Sequence, residues 1–385
     1  MGRRSFFQFV NERLVMSDAD SPRRARLKIA ILVFLLAIPG LLCSGTVAWW
    51  FGRQTIAAGK LAERRAEIVA RGLPIDDQSM MEFRSQRMSH KFSDRWMQLL
   101  DQLESPDYLE SCEHIPIVGV TEDDPAVALE LANKYQGDVE RFLNQWADLR
   151  AELHEIAEGS DGIWTEIEFK SYATLLPRVQ NTRSAARLLS LEFKDAIRRD
   201  DRDQAFRSIM ATIGVARSLE SEPILIANLV HVAISTLALE DLKQAIALDL
   251  FNEKQLVEIL DQLKSFDDFG TKYRLAIAGE RAMSQPAFDD PGQLMDDDEG
   301  TGDNIGGRPI DALASLEFLA QAESIPTENL TDFMIQTEEL ESLFDSSFRE
   351  AGLLRKYDTI LTGLTLPAIG AYATAVVRSV MQTRI

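Results

Sequence analysis

From Ile29 to Phe51 the chain reads IAILVFLLAIPGLLCSGTVAWWF, 23 residues without a charged side chain. At about 1.5 Å rise per residue a helix of this length exceeds the ~30 Å hydrocarbon core of a bilayer. Trp49, Trp50 and Phe51 stand at one end, where amphipathic rings favour the water interface, and Pro39-Gly40 is tolerated within a spanning helix. The run predicts a transmembrane helix over 29–51. A helix buried in a soluble core is the alternative.

The charge around this run gives it a direction. The whole 385-residue chain carries a formal net charge of −20. Residues 1–51 hold seven basic side chains against three acidic ones, a local +4, which leaves −24 for the remainder. Arg23, Arg24, Arg26 and Lys28 abut the start of the run, so the positive-inside rule places residues 1–28 in the cytoplasm and the main domain outside, in the periplasm or its equivalent. Arg53, Lys60, Arg64 and Arg65 partly offset that bias. Within the tail, Phe6, Phe7, Val10 and Leu14 share one helical face beside basic residues, a pattern for lying on the inner leaflet or for a mobile tail.

Composition narrows the class further. Hydrophobic residues are 45% and charged residues 26%, ordinary globular values that argue against a disordered, collagen-like or polytopic chain. The acidic balance argues against a nucleic-acid partner, whose phosphates need clustered Lys and Arg.

Beyond the run, residues 53–71 continue without proline and stop at Gly72-Leu73-Pro74, as a helical stalk would. Amphipathic spacing then places helices through Trp96, Leu99, Leu100 and Leu103 and through Val139, Phe142, Leu143, Trp146, Leu149, Leu153 and Ile156. Ile115 to Val120 is a loop or edge strand. Arg198-Arg199 closes one helix, Asp200-Asp201 turns the chain and a second helix begins, an antiparallel hairpin whose charges suit both helix dipoles. The stretch Ile224 to Leu242 is apolar almost all round and predicts the central buried helix; another helix follows Asn252. Residues 286–309 lose periodicity and gain Asp, Gly and Pro, then helical patterning resumes with Pro326 at a helix start. The uncharged run Thr359 to Val377 holds Gly363, Pro367 and Gly370 and reads as a core-facing helix, with a second membrane span as the alternative.

The expected fold is therefore all-α: an N-terminal transmembrane helix continuing into a stalk, then stacked antiparallel helical hairpins forming a bundle or short solenoid. The chain divides into a cytoplasmic basic tail (1–28), the transmembrane helix (29–51), the stalk (52–74), an exported helical domain (75–285), an acidic Gly/Asp-rich loop (286–309) and C-terminal helices packing on the domain (310–385).

The block from Arg187 to Ile246, containing LLSLEFKDAIRRDDRDQAFRSIMATIGVARSLESEPILIANLVHVAISTLALEDL, followed by AIAGER over Ala276 to Arg281, resembles a group of uncharacterised signal-anchored helical proteins of planctomycete bacteria. The resemblance covers the anchor and residues 180–285 and implies a helical exported body; it implies no activity and no functional residue. The hairpin at 185–220 is also similar to tetratricopeptide helices, but no 34-residue period recurs.

Few side chains are available for chemistry. Cys43 lies in the apolar run and Cys112 stands alone outside, so no disulfide forms within the domain. His154-Glu155 begins like a zinc-protease helix, yet Glu158 stands where the second His belongs. Cys112, Glu113 and His114 are adjacent and splay apart, a poor ligand set. The acidic loop lacks calcium-loop spacing, and Gly300, Gly302 and Gly306 follow no strand, so neither a calcium nor a phosphate cradle is expected. No metal or cofactor is implied.

What remains is a polar set on apolar helices. Asn228, His231 and Ser235 recur at i, i+3 and i+7, and Glu280-Arg281 interrupts a second apolar pattern, as an internal ion pair or a site carboxylate. These five residues are the candidate ligand-binding set, with satisfaction by neighbouring helices as the alternative. The expected function is a protein-interaction or envelope scaffold module with a protein partner outside the cytoplasm; an enzyme or small-molecule-binding ectodomain with its site near His231 and Glu280 is the alternative.

Cleavage after a secretory signal, lipoprotein processing at Cys43 and twin-arginine export through Arg3-Arg4 all compete with a retained anchor, and each fits the residues poorly. Leu42 is bulky before Cys43, and 24 residues separate Arg4 from the apolar run. The intact mass of the mature protein is expected to include residues 1–45; a mass lacking them would overturn the retained anchor.

Overall fold

The computed structural model describes residues 22–119, 125–159, 162–171, 174–264, 269–289 and 309–325. The basic tail up to residue 21, the acidic loop over 290–308 and the C-terminal stretch 326–385, with its uncharged run, lie outside them. The described residues form thirteen helices: α1 (Pro22–Ala70), α2 (Asp77–Arg87), α3 (Ser93–Gln102), α4 (Pro106–Cys112), α5 (Pro125–Lys134), α6 (Gln136–Gln145), α7 (Ala147–Glu158), α8 (Pro177–Arg198), α9 (Arg202–Arg217), α10 (Leu225–Ala247), α11 (Glu253–Leu263), α12 (Phe269–Asp289) and α13 (Pro309–Ser324). The all-α expectation holds for them.

The chain divides into two compact units, Met1–Lys60 and Leu61–Ile385. In the first, Trp49, Trp50 and Phe51 of α1 are exposed, and the Arg53 guanidinium stacks over the Trp49 ring at 4.9 Å. In the second, the last turns of α1 are part of the body. Leu61 and Ile68 are buried, Arg65 donates to Gln285 (3.1 Å) and Asp289 (2.8 Å) of α12, and Arg71 pairs with Glu323 of α13 at 2.7 Å. The stalk expected over 52–74 is thus corrected from Leu61 onward. Leu61, Arg65 and Ile68 recur at i, i+4 and i+7, one helical face that packs instead of facing water. The helix ends where Gly72 takes φ +71°: its N–H reaches Val69 and that of Leu73 reaches Ile68, which satisfies the last carbonyls.

The body is built around α8, α9 and α10. Asp200 adopts φ +57° between α8 and α9, and the Asp201 carboxylate caps α9 by accepting from the Gln204 N–H at 3.0 Å. The two helices pack along each other, and Ala185, Ala186, Ala211 and Ala216 on them are buried in one apolar cluster. At Gly214 any Cβ would overlap the carbonyl of Ala157, so α7 and α9 touch backbone to backbone. Helix α10 is, by length and composition, long and apolar enough to cross a membrane. Its apolar stretch is 67% buried, the core helix its all-round apolar sequence predicts. A large apolar cluster joins Trp96 and Leu99 of α3, Leu153 of α7 and Leu188 of α8; a second gathers Phe193, Ile213, Phe251 and Ile259.

Of the loop or edge strand expected over 115–120, the described residues after α4 take the loop: they form turns in which Ile115 and Ile117 are buried and Ile117 has φ +75°. Two other local expectations change. The register from Val139 to Ile156 is split into α6 and α7 at Trp146, whose indole N–H donates to Ser111 at 3.0 Å and whose ring meets Tyr108 edge-on. Helix α12 continues through Pro286 to Asp289, past the expected start of the acidic loop at 286, because Arg65 grips Gln285 and Asp289 while Phe288 is buried.

One pair binds this frame together. Arg84 on α2 and Glu222, just before α10, are each 1% exposed and meet as a fork: Nε to Oε1 and Nη2 to Oε2, both 2.6 Å. Arg84 Nη2 also donates to the Thr165 carbonyl at 3.1 Å. Arg84→Ala leaves the Glu222 charge buried alone and is expected to cost about 3–5 kcal/mol. Denaturant unfolding checks it: the double change Arg84→Met with Glu222→Leu should recover most of the loss, and an undiminished loss would refute the assignment.

Candidate functional site

All five residues of the sequence-derived set are buried. On α10, Asn228 donates to the carbonyls of Glu222 and Ile224, each at 3.0 Å, and Ser235 donates to that of His231 at 2.8 Å. His231 Nδ1 lies 2.7 Å from the Ala216 carbonyl, an acceptor only, so this nitrogen carries the proton. Nε2 then accepts from Lys272 of α12 at 3.3 Å, and Lys272 pairs with Glu220 at 2.7 Å. Burial first, and the Lys272 charge second, lower the imidazole pKa to about 3. His231 thus cross-links α9, α10 and α12 as a neutral ring.

Glu280 and Arg281 do not pair with each other. As neighbours they point to different faces of α12. Glu280 accepts from the Leu225 N–H at 3.2 Å, in the first turn of α10, and burial raises its carboxyl to about 7. Close approach is possible because residue 279 is glycine: a Cβ there would overlap the Pro223 carbonyl. Arg281 Nη2 pairs with Glu323, whose other oxygen takes Arg71.

The face of Arg281 continues as a seam between the end of α1, α12 and α13. Arg281 is 1% exposed, and its Nε and Nη1 find no acceptor among the described residues. The same holds for Gln285 Nε2, one turn further on, and for Arg65 Nε. These are four buried nitrogen donors in one seam. A buried donor without a partner costs on the order of 1–3 kcal/mol, so native folds keep few of them. Beside them lies a cleft of ≈ 380 Å³ lined by Ile68, Arg71, Arg281, Leu316, Glu317 and Glu323, among others. Sequence reasoning isolated Arg281 but missed Arg65, Arg71 and Gln285; the signal was the Leu61, Arg65, Ile68 spacing, read as a stalk.

A second polar centre surrounds Glu192 of α8. Arg150 and His154 of α7 and Ser208 of α9 all address its carboxylate, His154 at 2.6 Å and Ser208 at 2.9 Å. Burial pushes this carboxyl up, but His154 and Arg150 outweigh it and hold the group below its ordinary value. Ser208 and His154 both contact Glu192 instead of each other, which is a packing network and not a nucleophile with its base. Glu155, beside His154, is held by Arg95 at 2.8 Å. Cys112 is buried, and burial raises its thiol to about 11, the reverse of activation. Among the described residues no cluster of three His, Cys, Asp or Glu is placed to hold a metal.

No protein-family model, curated protein or solved structure matches this chain. The geometry itself therefore carries the functional argument.

Glu280 and His231 make stability depend on pH in opposite senses. The folded pKa of Glu280 is raised from 4.5 to about 7, so its contribution is fully present below 4.5 and lost as pH rises through 7. The folded pKa of His231 is depressed from 6.5, so its contribution is present above 6.5 and lost as pH falls toward 3. Glu280→Gln keeps an acceptor for Leu225 and removes the ionisation, and is expected to be more stable than the parent at pH 8 by up to about 3 kcal/mol. Thermal midpoints from pH 5 to 8 check this; a difference that does not widen with pH would exclude it.

Proposed function

We propose that this chain is a single-pass, membrane-anchored exported protein whose helical body, a stack of hairpins, binds another protein or an envelope component. The observation that carries the reading is α1: one helix, Pro22–Ala70, includes the uncharged run 29–51 and also Leu61, Arg65 and Ile68, which pack in the body. The basic residues Arg23 to Lys28 favour an N-terminus inside. The exposed Trp49, Trp50 and Phe51 suit the outer interface.

Binding is preferred over catalysis because the groups that chemistry would use are engaged internally. Both His231 nitrogens have partners, His154 serves Glu192, and Asn228 and Ser235 bond to backbone. The resemblance to signal-anchored helical proteins of planctomycetes agrees with this placement.

Crosslinking in intact membranes, followed by purification of the tethered full-length chain, is expected to recover a partner at a fixed molar ratio. Consistent recovery of the chain alone would count against the scaffold reading. Protease added outside sealed cells should remove the body and spare residues 1–28; the reverse pattern would invert the topology.

A further inference from the structure

We propose that the seam between the end of α1, α12 and α13 is a binding site for a small organic oxyanion, a carboxylate or phosphate monoester with a short apolar part. The proposal concerns the body alone and stands whether or not the anchor is retained.

The chemistry follows from what the seam lacks. Arg281 Nε and Nη1, Gln285 Nε2 and Arg65 Nε are all donors, all buried, and all without an acceptor among the described residues. Arg281 and Gln285 are one helical turn apart on α12 and so share a face. Their acceptors are already committed elsewhere: the Gln285 side-chain oxygen takes Arg65 Nη2, and Glu323 is divided between Arg71 and Arg281. An incoming group must therefore bring oxygens of its own. A guanidinium is a planar fork that suits carboxylate and phosphate and holds them with charge-assisted bonds.

The cleft also limits size and character. Its ≈ 380 Å³ lies in the range of small-molecule sites, and it is lined by both apolar and charged side chains. Ile68, Leu316 and Ala320 offer a surface for a short hydrocarbon part, and Arg281 lines the same cleft while being 1% exposed. Arg71, 58% exposed in its side chain, stands where an anion enters. Glu67, Glu317 and Glu323 in the same lining disfavour a ligand of high negative charge, so a head with no more than two negative charges fits best.

This differs from the polar centre at His231. There the donors meet acceptors and link helices; here Arg281, with Nε and Nη1 unmatched, lines a cavity.

The test uses the full chain in neutral-detergent micelles with three probes: butyrate, butyl phosphate and inorganic phosphate. Butyrate or butyl phosphate is expected to raise the thermal midpoint saturably, and inorganic phosphate to do so less. Arg281→Lys keeps the charge facing Glu323 but loses the Nε and Nη1 donors, and is expected to weaken the response about tenfold or more. Arg71→Gln, at the exposed rim, should weaken it less and without loss of fold. Should R281K not fold, Arg71→Gln, which lines the same cleft, carries the test, and an unchanged response in it would overturn the site. Repeating the measurement in nanodiscs with and without phosphatidate separates the sources: a shift with phosphatidate alone assigns the oxyanion to a lipid headgroup, and a shift with the soluble probes assigns it to a free ligand. No saturable response of the parent chain to any probe or lipid, or an unchanged response in R281K, would overturn the site.

Discussion

Two ionised side chains almost out of reach of water, Arg84 and Glu222, set the terms for the body. Taking both charges from water is expensive, so the pair endures only where every remaining hydrogen bond is made. Here both carboxylate oxygens take the guanidinium, Thr165 takes a further N–H, and the Phe169 ring lies 5.4 Å from the charge. The carbonyl of Glu222 also takes Asn228. The link between α9 and α10 is thereby fixed at its most sensitive point. The entry of α10 follows from it, and with that entry the meeting of His231 with Ala216 and of Leu225 with Glu280. Gly279 completes the arrangement by admitting the Pro223 carbonyl against α12.

The polar interior divides by what is satisfied. Around Glu192 and His231, donors and acceptors are matched across three helices each, and such networks specify one packing among many apolar alternatives. The seam of Arg65, Arg281 and Gln285 has donors in surplus. Charge alone does not separate the two kinds of site. The count of acceptors does.

Much of the fold was legible because it rests on local rules. The Asp200-Asp201 turn, the Asn252 capping box before α11 and the apolar α10 each follow from short-range signals, dipole, cap and periodicity. Pairings across hundreds of residues were not legible. Nothing near Leu61 announces that its face meets α12 and α13, so packed turns looked like a stalk. Pro286 carries a strong stop signal, overridden by a partner from α1 that no window around it contains. Trp146 fits its helical register on either side, and its bond to Ser111 is invisible in that register. In the candidate set, the spacing placed Asn228, His231 and Ser235 on one helix face but gave no sign of Lys272, and adjacency suggested a Glu280-Arg281 pair that the helix geometry separates.

The contacts of Arg65 with Asp289 and Arg71 with Glu323 join positions 224 and 252 residues apart. A chain made from its N-terminus exposes Leu61 and Ile68 first and can cover them only when α12 and α13 arrive. Closing so long a loop is entropically costly and comes late. For most of synthesis, then, the face of α1 that ends up inside has no partner of its own, and α12 and α13 close the body on the helix that opens it.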